Sequence, residues 1–386
     1  MQIRLGSSAC LLAAAAIALC AAGCPSGGEQ GAAKSGEGGG DAPPSFSLAW
    51  SEYPSWSAFG VASELGIING AKGELGEVEK RWNVDIVLNE ADYDACLQQY
   101  SSASVDAVCI TNIDILSPGA GRPGVGILPT STSIGGDACI VTGIADLAGL
   151  KGQKVRGLEK SVSEYVFNRC VELGGMKPSD FEFSNMDPGA AAVAMQQAQE
   201  GVNAIVVWNP FKMDTLEKRP GEAKVLFDSS QIPEEVIDMV VVARSSLEKE
   251  GGDRFASAVA DAFYTLNARL ADDKTRDKTL VALGEKFSDL KLEAMKKVVV
   301  DTVFYKNADE ALDLFKSDRL KEKMKPVEKF VVDMELVNGP PKVAYGKAAD
   351  NKDAHLVFDT SYVEAVKAKE GASTGPTEGH PSVRKK

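Results

Sequence analysis

The residue types that could do chemistry gather after predicted strand ends. Ser51, Glu52, Tyr53 and Trp56 follow the strand-like stretch 46–50, Thr111, Asn112 and Asp114 follow 106–110, and Trp208 and Asn209 close 204–208. Ser133 and Asp137 lie in a loop expected at 130–137, before the crossover strand, that offers hydroxyls and free backbone N–H groups. Ser161, Ser163 and Glu164 stand where a helix should begin. Carboxylates beside aromatic rings suit neutral amide-like or cationic nitrogenous groups, through hydrogen bonds and cation–π contact. Nitrate, sulfonate or phosphonate would instead be expected to recruit Arg, Lys or dense backbone donors. The nearest cations here are Arg156 and Lys160.

Each of these residues also has a purely structural reading. Asn112 and Asp114 can cap a short helix, and Ser161, Ser163 and Glu164 are good N-capping residues. Trp56 and Trp208 suit a core, although Trp208 at a strand end before Asn-Pro favours a cleft wall. Glu159 and Asp238 fit a solvated surface or a hinge as well as a site. The Lys/Glu-rich stretch 316–329 reads as a solvated helical face. With only His355 and His380 in the chain, histidine-based catalysis and a histidine-rich metal site are not expected, and no cofactor is implied.

The elements that position these residues alternate. Strands are expected at 46–50, 84–88, 106–110, 125–128, 138–141, from 155, at 181–183 and at 204–208. Helices are expected at 57–65, 73–82, 91–101, 162–172 and 190–199. That order argues an α/β fold with mainly parallel sheets, in which ligands bind beyond the carboxyl ends of strands. From 245 onward the pattern turns mostly helical, with Phe255, Val259, Phe263, Leu266 and Leu270 at helical spacing.

The N-terminus gives an address. Arg4, an apolar run from 9 to 22 and the sequence Ala21-Ala22-Gly23-Cys24 read as a secretory signal whose cut exposes Cys24 for lipidation. Residues 25–44 are mostly Gly, Ser, Ala, Glu, Lys and Pro without a large apolar side chain, and read as a flexible linker. Residues 371–386 read as a disordered tail. Without 1–23 the chain keeps 41 basic against 55 acidic residues, a net charge of −14. Nucleic acid and anionic lipid surfaces would repel it. Cys96, Cys109, Cys139 and Cys170 remain; Cys109 and Cys139 read either as a disulfide pair or as small buried apolar residues, the second being preferred.

Four stretches carry a resemblance. They are Trp50-Ser-Glu-Tyr-Pro-Ser-Trp56, Val105-Asp-Ala-Val-Cys-Ile-Thr-Asn-Ile-Asp114, Ile144-Ala-Asp-Leu-Ala-Gly-Leu-Lys-Gly-Gln-Lys-Val155 and Val202-Asn-Ala-Ile-Val-Val-Trp-Asn-Pro210. In order and spacing they resemble the substrate-binding protein of an ABC importer of the nitrate/sulfonate/taurine type and its urea-carboxylase-related relatives. Asn203 departs from the acid usual there. The resemblance implies a two-lobed periplasmic-binding-protein fold, type II-like, with two mixed, mainly parallel sheets, a ligand cleft between lobes and a helical C-terminal part. It places lobe I at 45–137, lobe II at 138–236, the return to lobe I with C-terminal helices at 237–340 and an extension at 341–370. It further implies a monomeric, non-catalytic binder of a small molecule in the cell envelope. Closure about crossovers near 136–138 and 233–238 would deliver the solute to a permease and its ATPase. The alternatives are an enzyme of the thiamine-pyrimidine-synthase-like kind and a ligand-sensing lipoprotein.

Overall fold

The computed structural model describes Ala42–Ser373. The expected signal segment, the lipidation site Cys24, most of the expected linker and the stretch from 374 onward lie outside the described residues. In chain order the strands are β1 (Ser45–Trp50), β2 (Asp85–Glu90), β3 (Ala107–Thr111) and β4 (Gly124–Ser133). Next come β5 (Asp137–Thr142), β6 (Lys154–Gly157), β7 (Glu182–Asn185), β8 (Ala204–Trp208) and β9 (Ala223–Asp228). The chain returns through β10 (Ile237–Ala243), β11 (Thr302–Phe304), β12 (Val343–Tyr345) and β13 (Leu356–Phe358). One sheet runs β12-β13-β4-β10-β3-β1-β2, with β11 added on β4; the other runs β7-β6-β8-β5-β9.

Both sheets are mixed, with helices between their strands, the α/β class expected from the alternating pattern. β1 is parallel to β2 and β3, and β6 to β7 and β8. The strand laid down first after each passage between sheets is antiparallel to its neighbours: β5 lies between β8 and β9, and β10 between β3 and β4. β3 and β10 are buried along their whole length. Apart from Asp238, β10 is apolar, as a strand covered on both faces should be. Behind the first sheet, the helix Gly252–Ala271 buries Phe255, Val259, Phe263 and Leu266, and Phe255 stacks on Phe46 with ring centroids 4.8 Å apart. No helix among the described residues is long and apolar enough to cross a membrane.

Three expectations need correction. The hydroxyl-rich stretch 130–137 is largely strand, not loop: Ser131 pairs with Asp238 and Phe304, and Ser133 with Thr302, leaving only 134–136 to turn. A register shift between Asp238 and Met239 lets β4 continue through Pro129, which cannot donate to the ladder. The helical region after 245 also contains β11, β12 and β13, each too short to show a period of two. Finally, the helix Ser361–Ser373 runs into the stretch expected to be tail.

Two connections join the sheets, and polar side chains hold them together. Ser133 Oγ is 2.8 Å from Ser229 Oγ, which accepts the Gly135 N–H at 2.9 Å. Gly135 has φ +103°, a conformation that favours glycine. Lys212, on the helix Phe211–Lys218, donates to the Gly135 carbonyl at 2.6 Å and pairs with Asp301 at 2.8 Å. In the second connection Glu235 accepts from Tyr165 Oη at 2.7 Å and from Arg169 Nε at 2.9 Å.

Cys109 and Cys139 do not form a disulfide; they lie in different sheets, on β3 and β5, and all four described cysteines are free and buried. Burial pushes the Cys96 and Cys170 thiols up to about 12 and the other two higher still. A thiol reagent is therefore expected to modify none of the four in the native protein at pH 8, and all four after denaturation. Rapid native labelling would contradict this burial.

Candidate functional site

The carboxyl ends of β1 and β3 and the start of β10 meet the start of β5 and the end of β8 across a narrow cleft. Tyr53, Trp56, Tyr93, Thr111, Asp137, Val162, Trp208, Val236 and Asp238 enclose an inner cavity of about 10 Å³, room for about one water molecule. Register delivers the acids to it. Asp238 pairs with Thr111 on β3 and with Ser131 on β4, while Asp137 pairs with Trp208 on β8. Asp114 follows β3 and is held by Tyr93 Oη at 2.7 Å and Thr111 Oγ1 at 3.0 Å.

The aromatic side of the cavity is continuous. Tyr53 and Trp56 lie 4.7 Å apart between ring centroids; Trp56 stacks on Tyr93 at 5.4 Å with planes 11° apart; Tyr93 meets Trp208 edge-on at 5.8 Å. These rings are buried by local structure. Trp56 precedes the helix Ser57–Glu64, and Tyr93 opens the helix Tyr93–Ser101, so both project from the first turn beside a strand end.

Three carboxyl groups are buried here: Asp114, Asp137 and Asp238 are 5%, 3% and 1% exposed. Burial pushes Asp114 and Asp137 up to about 6, and Asp238 well above the usual carboxylate range. Repulsion from Asp137 raises both of the others. The opposing contributions are modest. Ser131 Oγ donates to Asp238 at 2.6 Å, and the Val162 N–H, at the start of the helix Val162–Leu173, favours ionised Asp114. Lys212 favours ionised Asp137, but its ammonium is committed to Gly135 and Asp301. Burial and Asp238 push the Tyr53 hydroxyl up, so it stays neutral.

Among the described residues several buried polar atoms here lack partners: Trp56 Nε1, Ser163 Oγ and both side-chain heteroatoms of Asn209. A solute that donates hydrogen bonds, carries positive charge and presents a flat or aliphatic face to the rings would meet the carboxyl groups and the aromatic wall, while the Trp56 and Asn209 N–H groups call for an acceptor.

Of the residues expected at the site, Tyr53, Trp56, Thr111, Asp137 and Trp208 line the inner cavity, and Asp114 touches its wall through Tyr93 and Thr111. Ser51 and Glu52 lie in an adjoining outer groove. Others are engaged structurally. Asn112 accepts the Ile237 N–H at 2.9 Å and donates to the Glu235 carbonyl at 3.1 Å, securing a connection between the sheets. Ser133 bonds Ser229 and the Asp137 N–H. Ser161 accepts the Ser163 N–H as the N-cap of its helix, and Glu164 accepts the Lys160 N–H at 2.6 Å. Ser163 and Asn209 are buried beside the cleft but do not line the cavity. Tyr93 is not among the residues the sequence points to, and Asp238 fits a surface or a hinge there as well as a site. A charged residue inside the apolar run 236–243 was its signal, and Tyr93 follows a strand end as the other candidates do.

No family model matches the sequence, and no curated protein matches it. Solved structures do. The periplasmic aliphatic sulphonate binding protein SsuA of Escherichia coli is 20% identical, with TM-score 0.59, covering 77% of this chain and 95% of its own. The alkanesulfonate-binding protein SsuA of Xanthomonas axonopodis pv. citri, bound to MOPS, is 15% identical, with TM-score 0.59, covering 78% and 96%. The periplasmic nitrate-binding protein NrtA of Synechocystis PCC 6803 is 14% identical, with TM-score 0.50, covering 64% and 68%. The chain thus has the two-sheet α/β fold of periplasmic binding proteins.

Proposed function

We propose that this chain is the solute-binding protein of an ABC importer, held at the extracytoplasmic face of a membrane by lipid on Cys24. It captures a small nitrogen-containing solute, neutral or cationic, by closing its two sheets about the connections at 134–136 and 229–236, and presents the closed form to a permease.

One observation carries the choice of solute. Asp114, Asp137 and Asp238 are buried together against four aromatic rings, and no basic residue is among those that line the cavity. Burying ionised carboxylates without a partner is costly, and a cation seated among them offsets that cost. The fold neighbours are named for sulfonates and nitrate; buried carboxylates such as these would repel an anion of that kind. A thermal-shift panel tests the reading. Alkylammonium or guanidinium salts should raise the melting temperature, and nitrate and taurine should not; the reverse pattern would refute it.

A pH dependence follows. Asp114 and Asp137 have folded values of about 6, above the usual 3.8. In the ligand-free protein the stability they confer is complete below about pH 4 and is lost as pH rises through 6. Binding of a permanently charged solute runs the other way, because it requires the ionised forms. Between pH 6 and 5 the affinity for guanidinium should fall by up to about tenfold for each carboxyl group that must lose its proton. Calorimetry at pH 5, 6 and 7.5 measures this; affinity that is flat or rises toward pH 5 would contradict it.

A further inference from the structure

The acids account for only part of the inner site. Trp56, Ser163 and Asn209, exposed by 3%, 1% and 0%, hold hydrogen-bonding atoms that no described residue satisfies. Buried groups of this kind are normally paired with protein or with ordered water. Trp56 lines the cavity, and its indole N–H can only donate. Asn209 directly follows Trp208 at the end of β8, and its backbone N–H donates to the Gly136 carbonyl at 3.0 Å. That bond keeps Asn209 next to the turn that leads into Asp137, while both heteroatoms of its side chain stay unpaired. Ser163 follows Val162, which is on the cavity wall; Ser161 Oγ takes its backbone N–H, and its own hydroxyl has no partner.

We propose that the solute carries a neutral carboxamide beside its cationic nitrogen, as a short amino-amide does, with the nitrogen facing the aspartates and the carboxamide paired to Trp56 and Asn209. The proposal rests on the reading of the cleft as a cation site and adds the second group of its occupant. The chemistry of the unpaired atoms selects that group. A primary carboxamide is the complement of the Asn209 side chain: its N–H donates to Oδ1 and its carbonyl accepts from Nδ2, with a second lone pair left for the Trp56 N–H. A carboxylate could accept from the same donors, but it would leave Oδ1 unmatched and bring a negative charge beside three buried acids. No basic residue lines the cavity to offset that charge, and the Lys212 ammonium is tied to Gly135 and Asp301. An alkyl tail would keep the same atoms buried and unpaired. The cavity of about 10 Å³ admits a solute of this size only as the sheets separate. Trp56 stands on the side of the first sheet, after β1, and Asn209 on the side of the second, after β8. A carboxamide held by both would couple its recognition to closure.

The test compares β-alaninamide, 3-methylbutylamine and β-alanine by calorimetry on the purified protein at pH 7.5. The three share one skeleton and end in a carboxamide, an isopropyl group and a carboxylate. β-Alaninamide should bind at least about tenfold more tightly than 3-methylbutylamine, as two or three neutral hydrogen bonds allow. β-Alanine should bind more weakly than either. Trp56→Phe keeps a ring and removes the N–H; Asn209→Leu keeps the shape and removes both heteroatoms. Each should cut the advantage of the amide by at least about threefold. Equal affinity for the amide and the amine, or an advantage that survives both variants, would overturn the proposal while leaving the cation site standing. Silence of all three probes with guanidinium still bound would do the same. Preference for β-alanine, or binding of nitrate or taurine with both the amide and the amine silent, would overturn the cation site itself.

Discussion

Replacing Asp137 or Asp238 by asparagine is expected to make the ligand-free protein more stable and to destroy capture of cationic solutes. Asparagine keeps the shape and an acceptor oxygen but removes a charge whose burial nothing nearby fully compensates. For Asp137, the rise from 3.8 to about 6 corresponds to about 3 kcal/mol at neutral pH, an upper figure for what the substitution can return. Asp238 shifts in the same direction, with Asp137 adding to its burial. Melting temperatures of Asp137→Asn and Asp238→Asn at pH 7.5 should therefore rise by a few degrees. Removing one partner of a buried charge pair costs about 2–5 kcal/mol of binding, about 30-fold or more in affinity. Stability gained with binding lost marks residues kept for function. A lower melting temperature with unchanged amine affinity would show that the two acids serve only the fold.

The second large effect is expected at Trp56. Its ring stacks on Tyr93 and leans on Tyr53, and it is 3% exposed. Truncation to alanine should cost about 3–5 kcal/mol of stability through the cavity it leaves. It should also weaken cation binding by about 2 kcal/mol, because a desolvated aromatic face is lost. Trp56→Phe and Trp56→Leu separate the two roles. Both refill most of the space, but only phenylalanine keeps a π face. Amine affinity should fall in the order Trp, Phe, Leu, with leucine losing about 30-fold. Equal affinity of the leucine and tryptophan proteins would show that the ring is packing alone.

Much of the strand framework was legible in the sequence because buried strands bounded by turns are long enough to show their pattern, as at 46–50 and 204–208. The end of each such strand then pointed to Tyr53, Trp56, Thr111, Asp114 and Trp208, which the structure brings to one cleft. What stayed hidden has physical causes. Ser, Asn and Glu serve equally as ligand contacts and as caps or ties between strands, so Asn112, Ser133, Ser161 and Glu164 could not be sorted without knowing their partners. Tyr93 reads like any core aromatic at the start of a helix. Asp238 could be weighed only once β10 was seen between β3 and β4, which turns a charge in an apolar strand into a buried charge beside Ser131 and Tyr53. β11, which closes the end of β4, is three residues long and carries no period.

This fold is proposed to hold a cation where its structural neighbours are named for anions. A calorimetric titration at pH 7.5 with butylammonium, guanidinium, nitrate and taurine, on the native protein and on Asp137→Asn, tests it most directly. The structure predicts saturable one-to-one binding of at least one of the two cations, lost in the variant, and no heat from either nitrate or taurine. Saturable binding of nitrate or taurine, unaffected by the variant and with both cations silent, would contradict it.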